Sequence, residues 1–491
     1  MTSEAAMRVG SFRGDHPRLP LHPAEKVLLG ILAVHLCFLP WAMGTMHPWS
    51  QLVSLGLAAI GFVVALGNRV YTGEHAKGWE YRLIMWPRLL RFPIFWIGLA
   101  LLGYILAQAL NPSWTFVRNA TQWWLLRVND IPWLPTSIDV PFARFNAWRA
   151  LIIYASAWLV VCSLWIGLTR RRSMQFLLIV LVCNGAALAC AGILQHLLGT
   201  DRFLGLFPWP PGCSPFASFP YRNHGGAYLA LITALAAALA TWFFEHGERT
   251  MKKSTPASVL AFLAVLLAGV VTFTYSRGAT IVLGLFLLLF IIWFLLRRSL
   301  RAIGGNAGSA VTLIVAVVFL GLLLNGLRYV DFSSVYARFD PLIQNQTRDE
   351  SVRARLLAHD AASAMLDSHW RRGVGAGGFR HLFTEYVQRH PEIYAQGRLF
   401  WEHAHNDWLE TPIELGAGGV LLLLAGAGWW AWWMVRHRGL WHSLAVPIIL
   451  GLSQTLIHAW FDFPFQCPAI LATWCALLTI SGRWIEIDSG G

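Results

Sequence analysis

Runs of about twenty residues with few or no charges recur from one end of this 491-residue chain to the other. A bilayer core offers no water to backbone N–H and C=O groups, so a segment that crosses it must pair those groups internally. Uncharged runs of this length therefore read as spanning helices, with short loops rich in Trp, Arg, Pro and Gly between them. The residues are 56% hydrophobic and only 13% charged, against roughly 25% charged in soluble domains. The spans are expected at 27–45, 50–67, 93–110, 149–169, 174–198, 223–243, 257–275, 278–296, 309–327, 411–435, 443–461 and 466–482. Together they define an all-α polytopic membrane protein with about 12 transmembrane helices and a large helical loop between helices 9 and 10.

A formal net charge of +13 would suggest a nucleic-acid partner in a soluble protein. Here the excess of Lys and Arg in inward-facing loops accounts for it, and no nucleic acid is expected. With residues 1–26 inside, the loops 68–92, 170–173, 244–256, 297–308 and 436–442 are all inner and all basic, and the four lysines, Lys26, Lys77, Lys252 and Lys253, lie on that side. The polar N-terminal stretch has no apolar core and reads as a cytoplasmic tail rather than a secretory signal. The seven cysteines show no C-x-x-C spacing and read as packing residues; Cys213 and Cys467 fall near the outer face, where a disulfide could form.

The outer side receives a Trp-rich loop at 111–148, a Pro/Gly loop at 199–222 and the large insert 328–410. In that insert Phe379, Leu382, Phe383, Tyr386 and Val387 form the stripe of an amphipathic helix, and a second helix is expected over 351–370. Packing of such stripes on the membrane surface or the bundle is their simplest use. The run "GVGAGGF", 373–379, lacks the β-α-β setting of a dinucleotide loop and reads as a turn that starts the next helix.

Span counting brings several polar residues to one membrane face. Arg222, Asn223 and His224 open the sixth helix, Arg277 separates the seventh and eighth, His403 to Asp407 lead into the tenth, and Asp462 ends the eleventh. Ionisable groups at membrane depth are costly unless paired or lining a wet cavity, so each is a functional candidate. Arg277 is either a turn residue or, with its planar guanidinium, a clamp for phosphate or pyrophosphate. If "HAHND" is helical, His403 and His405 point apart, His403 sharing a face with Asp407 and His405 with Leu409, which argues against chelation of a metal. An imidazole there suits proton transfer, because its pKa lies near the working pH. Asp462 either caps its helix or pairs with an arginine at this level, Arg222, Arg277 and Arg353 being available.

Taken in order, "FPYRNHGGAYLAL", "TYSRGATIVL", "RARLLAHDAA", "GVGAGGF", "EHAHNDWLE" and "HAWFDFPFQCPA" resemble the bacterial O-antigen ligase/polymerase superfamily of membrane glycosyltransferases over about residues 150–482. The resemblance implies transfer of a glycan from a polyprenyl (undecaprenyl) pyrophosphate donor to a hydroxyl acceptor such as a lipid A–core sugar. Transfer would occur at the periplasmic face of the bacterial inner membrane, in the biosynthesis of lipopolysaccharide or another polysaccharide, without nucleotide sugar, metal or other cofactor. It carries catalytic roles to His405, Arg277 and Arg353, and substrate contacts to Arg222, Asn223, His224, Arg355, His403, Asn406, Asp407 and Asp462. His403 competes with His405, and Arg355 with Arg353. The implied organisation is a cytoplasmic tail 1–26, helices 1–9 over 27–327, a periplasmic catalytic loop 328–410, helices 10–12 over 411–482 and a cytoplasmic tail 483–491. Direct displacement predicts inversion, with the loop helices as a lid against water. A repeat-unit polymerase and an O-oligosaccharyltransferase share these motifs. A lipid-linked glycan flippase would spread its charges over both halves of the bilayer and often show internal repeats, and none is visible here.

Overall fold

The computed structural model describes residues 21–71, 81–199, 202–209, 212–251, 254–302, 350–394 and 401–489. Among them, nine helices are long and apolar enough to cross a membrane, and Ala257–Phe273 and Ala445–His458 are shorter apolar helices. In chain order the helices are α1 Pro23–Trp41, α2 Pro48–Leu66, the short α3 Trp86–Leu90, α4 Pro93–Leu110, α5 Ala147–Gly167, α6 Arg171–Leu197, α7 Arg222–Arg249, α8 Ala257–Phe273 and α9 Arg277–Ala302. They continue as α10 Glu350–His369, α11 Phe379–Val387, α12 Asp407–Arg436, α13 Ala445–His458 and α14 Pro468–Ser489. Each expected span except 309–327 falls on one of these helices; 309–327 lies outside the described residues.

The bundle closes around α7, whose "ALITALAAALA" stretch presents small side chains and is buried almost throughout. Small residues let backbones approach where lipid supplies no hydrophobic drive between helices. A β-carbon on Gly451 of α13 would lie 2.3 Å from the Ala234 β-carbon, and one on Gly185 of α6 would lie 2.7 Å from Ile232. These close contacts hold the first turn of α7 and the last of α13 at one end of the bundle, where the polar residues gather.

The mostly helical fold fits the all-α polytopic expectation, to which the described residues add small sheets in the loops. The Trp-rich 111–148 segment contains a three-stranded sheet in the order β4-β3-β5, formed by β3 Pro112–Arg118, β4 Trp123–Arg127 and β5 Ser137–Asp139, with β3 antiparallel to β4 and parallel to β5. Two further pairs are short: β1 Arg69–Tyr71 with β2 Tyr81–Leu83, and β6 Arg202–Phe203 with β7 Phe207–Pro208. Aromatic and β-branched residues suit β3, and Asn119 turns the chain by accepting from the backbone N–H groups of Thr121 and Gln122. The apolar stripes of α10 and α11 pack on the start of α12 and on the sheet. Ala358, Ala362, Phe379, Leu382, Phe383 and Val387 join Phe116, Ile138 and Val140 of the sheet in a second small core.

Domain ends shift as well. The stretch 483–489 is the end of α14 rather than a tail, because Trp484 is buried and Arg483 pairs with Glu486 and donates to the Leu168 carbonyl at 3.4 Å. Glu25 and Lys26, expected in the N-terminal tail, already belong to α1; Glu25 is fully buried and accepts from Arg69, Ser173 and Thr169. At the other end of the insert 328–410, α12 starts at Asp407. All seven cysteines are free; the Cys213–Cys467 disulfide is not formed, and the Cys467 thiol donates instead to the Gly44 carbonyl at 3.4 Å.

The glycine run is a turn that starts α11, as expected, and it fastens the second core to α12. Gly373, Gly375 and Gly377 all have positive φ, and the N–H groups of Val374 and Gly375 donate to the carbonyls of Ile413 and Glu414. A β-carbon on Gly375 (φ 88°) would sit 2.4 Å from that of Ser137. Gly375→Ala is therefore expected to destabilise by about 2 kcal/mol or more, through both left-handed strain and collision. Gly30→Ala, where nothing lies within 4 Å, is the control. Thermal unfolding in detergent checks this, and equal midpoints for the two variants would refute it.

Candidate functional site

The stretch before α12 is not helical, so the condition under which His403 and His405 would point apart on a helix is not met. Asn406 caps the helix, its Oδ1 accepting from the N–H groups of Trp408 and Leu409 at 2.9 and 3.3 Å. The two histidines therefore leave the helix axis altogether. His403 pairs with Glu410 rather than sharing a face with Asp407, and His405 adopts a left-handed φ of 54°. For a residue with a β-carbon that conformation is strained, and such strain concentrates at functional sites.

His403 is committed. Arg380 Nη2 lies 3.2 Å from its Nε2 and Glu410 Oε1 lies 2.7 Å from its Nδ1. A guanidinium only donates, so Nε2 accepts, Nδ1 carries the proton, and the ring is the neutral tautomer. Burial and then the Arg380 charge push its pKa down to about 3. The second Glu410 oxygen accepts from the Ala404 N–H at 2.8 Å, so this carboxylate anchors the whole turn that presents His405.

His405 is differently placed. Its Nδ1 faces Asp462 Oδ1 at 3.7 Å, its ring meets Phe463 and Trp401 edge-on, and its side chain keeps 21% of its surface exposed. Burial lowers its pKa below 6.5, Asp462 opposing and Arg355 reinforcing the shift.

Asp462 lies in the tight turn after α13. It accepts from the Phe463 N–H at 3.0 Å and from Asn223 Nδ2, and His458 Nε2 approaches to 3.8 Å. Burial would raise its pKa, but the His405 contact and the Arg355 charge carry it below the ordinary carboxylate range. The carboxylate is thus ionised and gathers three elements. Asn223 comes from the first turn of α7, where it also donates to the Tyr221 hydroxyl at 2.6 Å, and His224 donates to the Phe463 carbonyl at 3.2 Å.

The two competing arginines part company. Two residues apart on α10 they point about 200° away from each other. Arg353 is exposed, whereas Arg355 donates to the Phe461 carbonyl at 3.2 Å and acts electrostatically on Asp462, His405 and Tyr221. The expectation that favoured Arg353 thus meets a helix whose other face turns to the site. Arg277 opens α9; a β-carbon on its neighbour Gly278 would sit 2.8 Å from both His458 and Phe461, so Arg277 stands at the same turn. Arg222 opens α7 beside Tyr221, on which its charge acts. Asp407 is occupied structurally, accepting from the Phe465 N–H at 2.9 Å while its own N–H donates to the Ala459 carbonyl at 2.8 Å.

Sequence reasoning missed Tyr221, Arg380, Glu410 and Phe463. Glu410 and Glu414, one turn apart at the start of an apolar helix and both buried, were the available signal. Phe463 has none in sequence, yet it stacks on His403 and Tyr221 with ring centroids 4.3 and 5.2 Å away.

These features describe a polytopic helical membrane protein that collects imidazole, guanidinium and carboxylate groups from α7, α9, α10, the turn before α12 and the turn after α13 at one end of its bundle. Residues 262–424, about a third of the chain, match the O-antigen ligase family model, and no curated protein matches. The match supports the O-antigen ligase-like superfamily, and with it a membrane glycosyltransferase of the ligase or polymerase kind. It spans Arg277, Arg353, Arg355, His403 and His405; Arg222, Asn223, His224 and Asp462 lie outside it.

Proposed function

We propose that the chain transfers a glycan from a polyprenyl-pyrophosphate donor to a sugar hydroxyl, on lipid A–core, at the periplasmic face of the inner membrane. The observation that carries this reading is the His405–Asp462–Arg355 cluster: a partly exposed imidazole backed by a buried, ionised carboxylate, with a guanidinium at the same turn. Nδ1 of His405 faces Asp462, which leaves Nε2 to take the acceptor hydroxyl proton as that oxygen attacks the anomeric carbon. The C1–O bond breaks on the opposite side, the electron pair leaves with the pyrophosphate, and the anomeric configuration inverts.

Asp462 stabilises the imidazolium that forms. Arg355 and Arg277 neutralise the charge that grows on the departing pyrophosphate, an interaction stronger in the transition state than in the ground state. In this reading Arg355 takes the role first given to Arg353, and His403 holds the turn rather than the substrate. The experiment that tests it is transfer in vitro from a polyprenyl-pyrophosphate glycan to lipid A–core, with His405 variants beside wild type.

The pH profile gives a separate check. The neutral imidazole is the working base and its pKa lies below 6.5, so kcat/KM should stay flat from pH 8 down to that value and fall only below it. Asp462 raises the His405 pKa, so Asp462→Asn should move the acid limb to still lower pH while lowering the plateau. An acid limb above pH 7, or one that Asp462→Asn leaves in place, would contradict the assignment.

A further inference from the structure

Beside the His405 cluster lies a cavity of about 370 Å³ whose lining includes Arg144, Arg149, Arg380, Glu402 and His403. It shares the chain before α12 with that cluster and adds the segment leading into α5, the start of α5 itself and α11. Phe463 separates it from the proposed reaction centre, stacking on His403 with centroids 4.3 Å apart and meeting His405 at 4.9 Å. The two places are therefore one aromatic ring apart.

Its charge is unbalanced. Arg149 is 95% buried, yet among the described residues its guanidinium is held only by neutral acceptors, the Gln51 side chain at 2.9 Å and the carbonyls of Met46 and Ala143 at 2.8 and 3.3 Å. Arg380 reaches one carboxylate, Glu402, at 3.7 Å, and Glu402 is 63% exposed. Arg144 lies over the Phe116 ring at 4.5 Å, and Arg149 and Arg380 each lie 5.4 Å from the Phe145 ring. Among the described residues neither Arg144 nor Arg149 makes an ion pair with a carboxylate; in the lining three guanidiniums meet one, mostly solvated, acid, while Glu410 and Glu414, outside the lining, act electrostatically on Arg380 alone. A buried cation without a counter-charge is costly, and planar forks at this density match phosphate or carboxylate oxygens. The volume is that of a pocket for a small molecule.

We propose that this cavity binds an acidic substituent of a glycan, a phosphate or a carboxylate carried on a sugar, and so selects acidic saccharides a short distance from the reacting centre. The inference rests on the glycosyl-transfer reading only for the saccharide that carries the acid; the anion site itself stands on the cavity and its arginines.

The test is equilibrium binding to the detergent-solubilised full chain, with a phosphorylated trisaccharide, its uronic-acid analogue and the neutral parent as probes. Both acidic probes should bind at least tenfold more tightly than the neutral one. Arg144→Gln with Arg380→Gln should remove that preference, and His405→Ala should keep it. Arg144→Gln alone, on a partly exposed side chain, should weaken acidic binding roughly threefold or more with the thermal midpoint unchanged, so that a folding defect in the double variant is recognised. In the transfer assay KM should rise for whichever substrate, donor or acceptor, bears the acid. Equal binding of neutral and acidic probes, or an undiminished preference in the double variant, would overturn the proposal. Selective binding by a chain that shows no transfer would keep the anion site and remove the glycosyltransferase reading instead.

Discussion

Alanine at His405 is expected to lower kcat by about 10²- to 10⁴-fold, the range that a positioned proton acceptor contributes. The effect should fall on kcat rather than KM, because the imidazole meets the acceptor hydroxyl as a proton leaves it and not before. Folding should survive, since the side chain is partly exposed and the hydrogen bond at this position, from His359 to the His405 carbonyl at 3.2 Å, uses the backbone. His403→Ala is the contrasting variant. It empties the bridge between Arg380 and Glu410 and leaves the buried Glu410 carboxyl without its Nδ1–H donor, which costs about 1–3 kcal/mol. Its expected signature is a lowered unfolding midpoint with activity lost in proportion to folded protein. Steady-state transfer kinetics with thermal unfolding separate the two, and full kcat in the His405 variant would remove the base.

The second large effect is expected at Arg355. Replacing it with alanine should lower kcat/KM by about 10²- to 10³-fold, the magnitude seen when one preorganised donor to a developing anion is lost. Arg353→Ala should stay within about threefold of wild type, because exposed charges contribute little. Lysine at 355 should restore only part of the loss, having the charge without the planar pair of donors. The comparison is internal: both arginines lie on α10, two residues apart, so general effects of charge removal cancel. Equal losses at 353 and 355 would contradict the placement of the Arg355 face.

Among the described residues the apolar helices were legible in the sequence because hydropathy and length are properties of the segment itself, and the grouping of Asn223, His224, Arg277, His405 and Asp462 was approached by counting them. What failed were decisions set by contacts. The conditional helical reading of "HAHND" does not apply, because Asn406 caps α12 and leaves His403 and His405 outside it. Arg353 and Arg355 could not be separated, since the face that α10 turns inward depends on where the loop packs. The sheet in 111–148 was hidden because Trp-rich segments also mark membrane interfaces. The arginine cavity joins residues more than 230 positions apart, Arg149 and Arg380, and neither sits in a motif.

The most direct measurement of the central claim counts polyprenyl pyrophosphate released against glycosidic bonds formed, using purified protein in lipid nanodiscs with a polyprenyl-pyrophosphate glycan and lipid A–core. One pyrophosphate carrier should be freed for each new bond, with the anomeric centre inverted and both products absent from the His405→Ala protein. Movement of the intact donor across the bilayer without release of its carrier, or bond formation that persists at the wild-type rate in the His405→Ala protein, would contradict it.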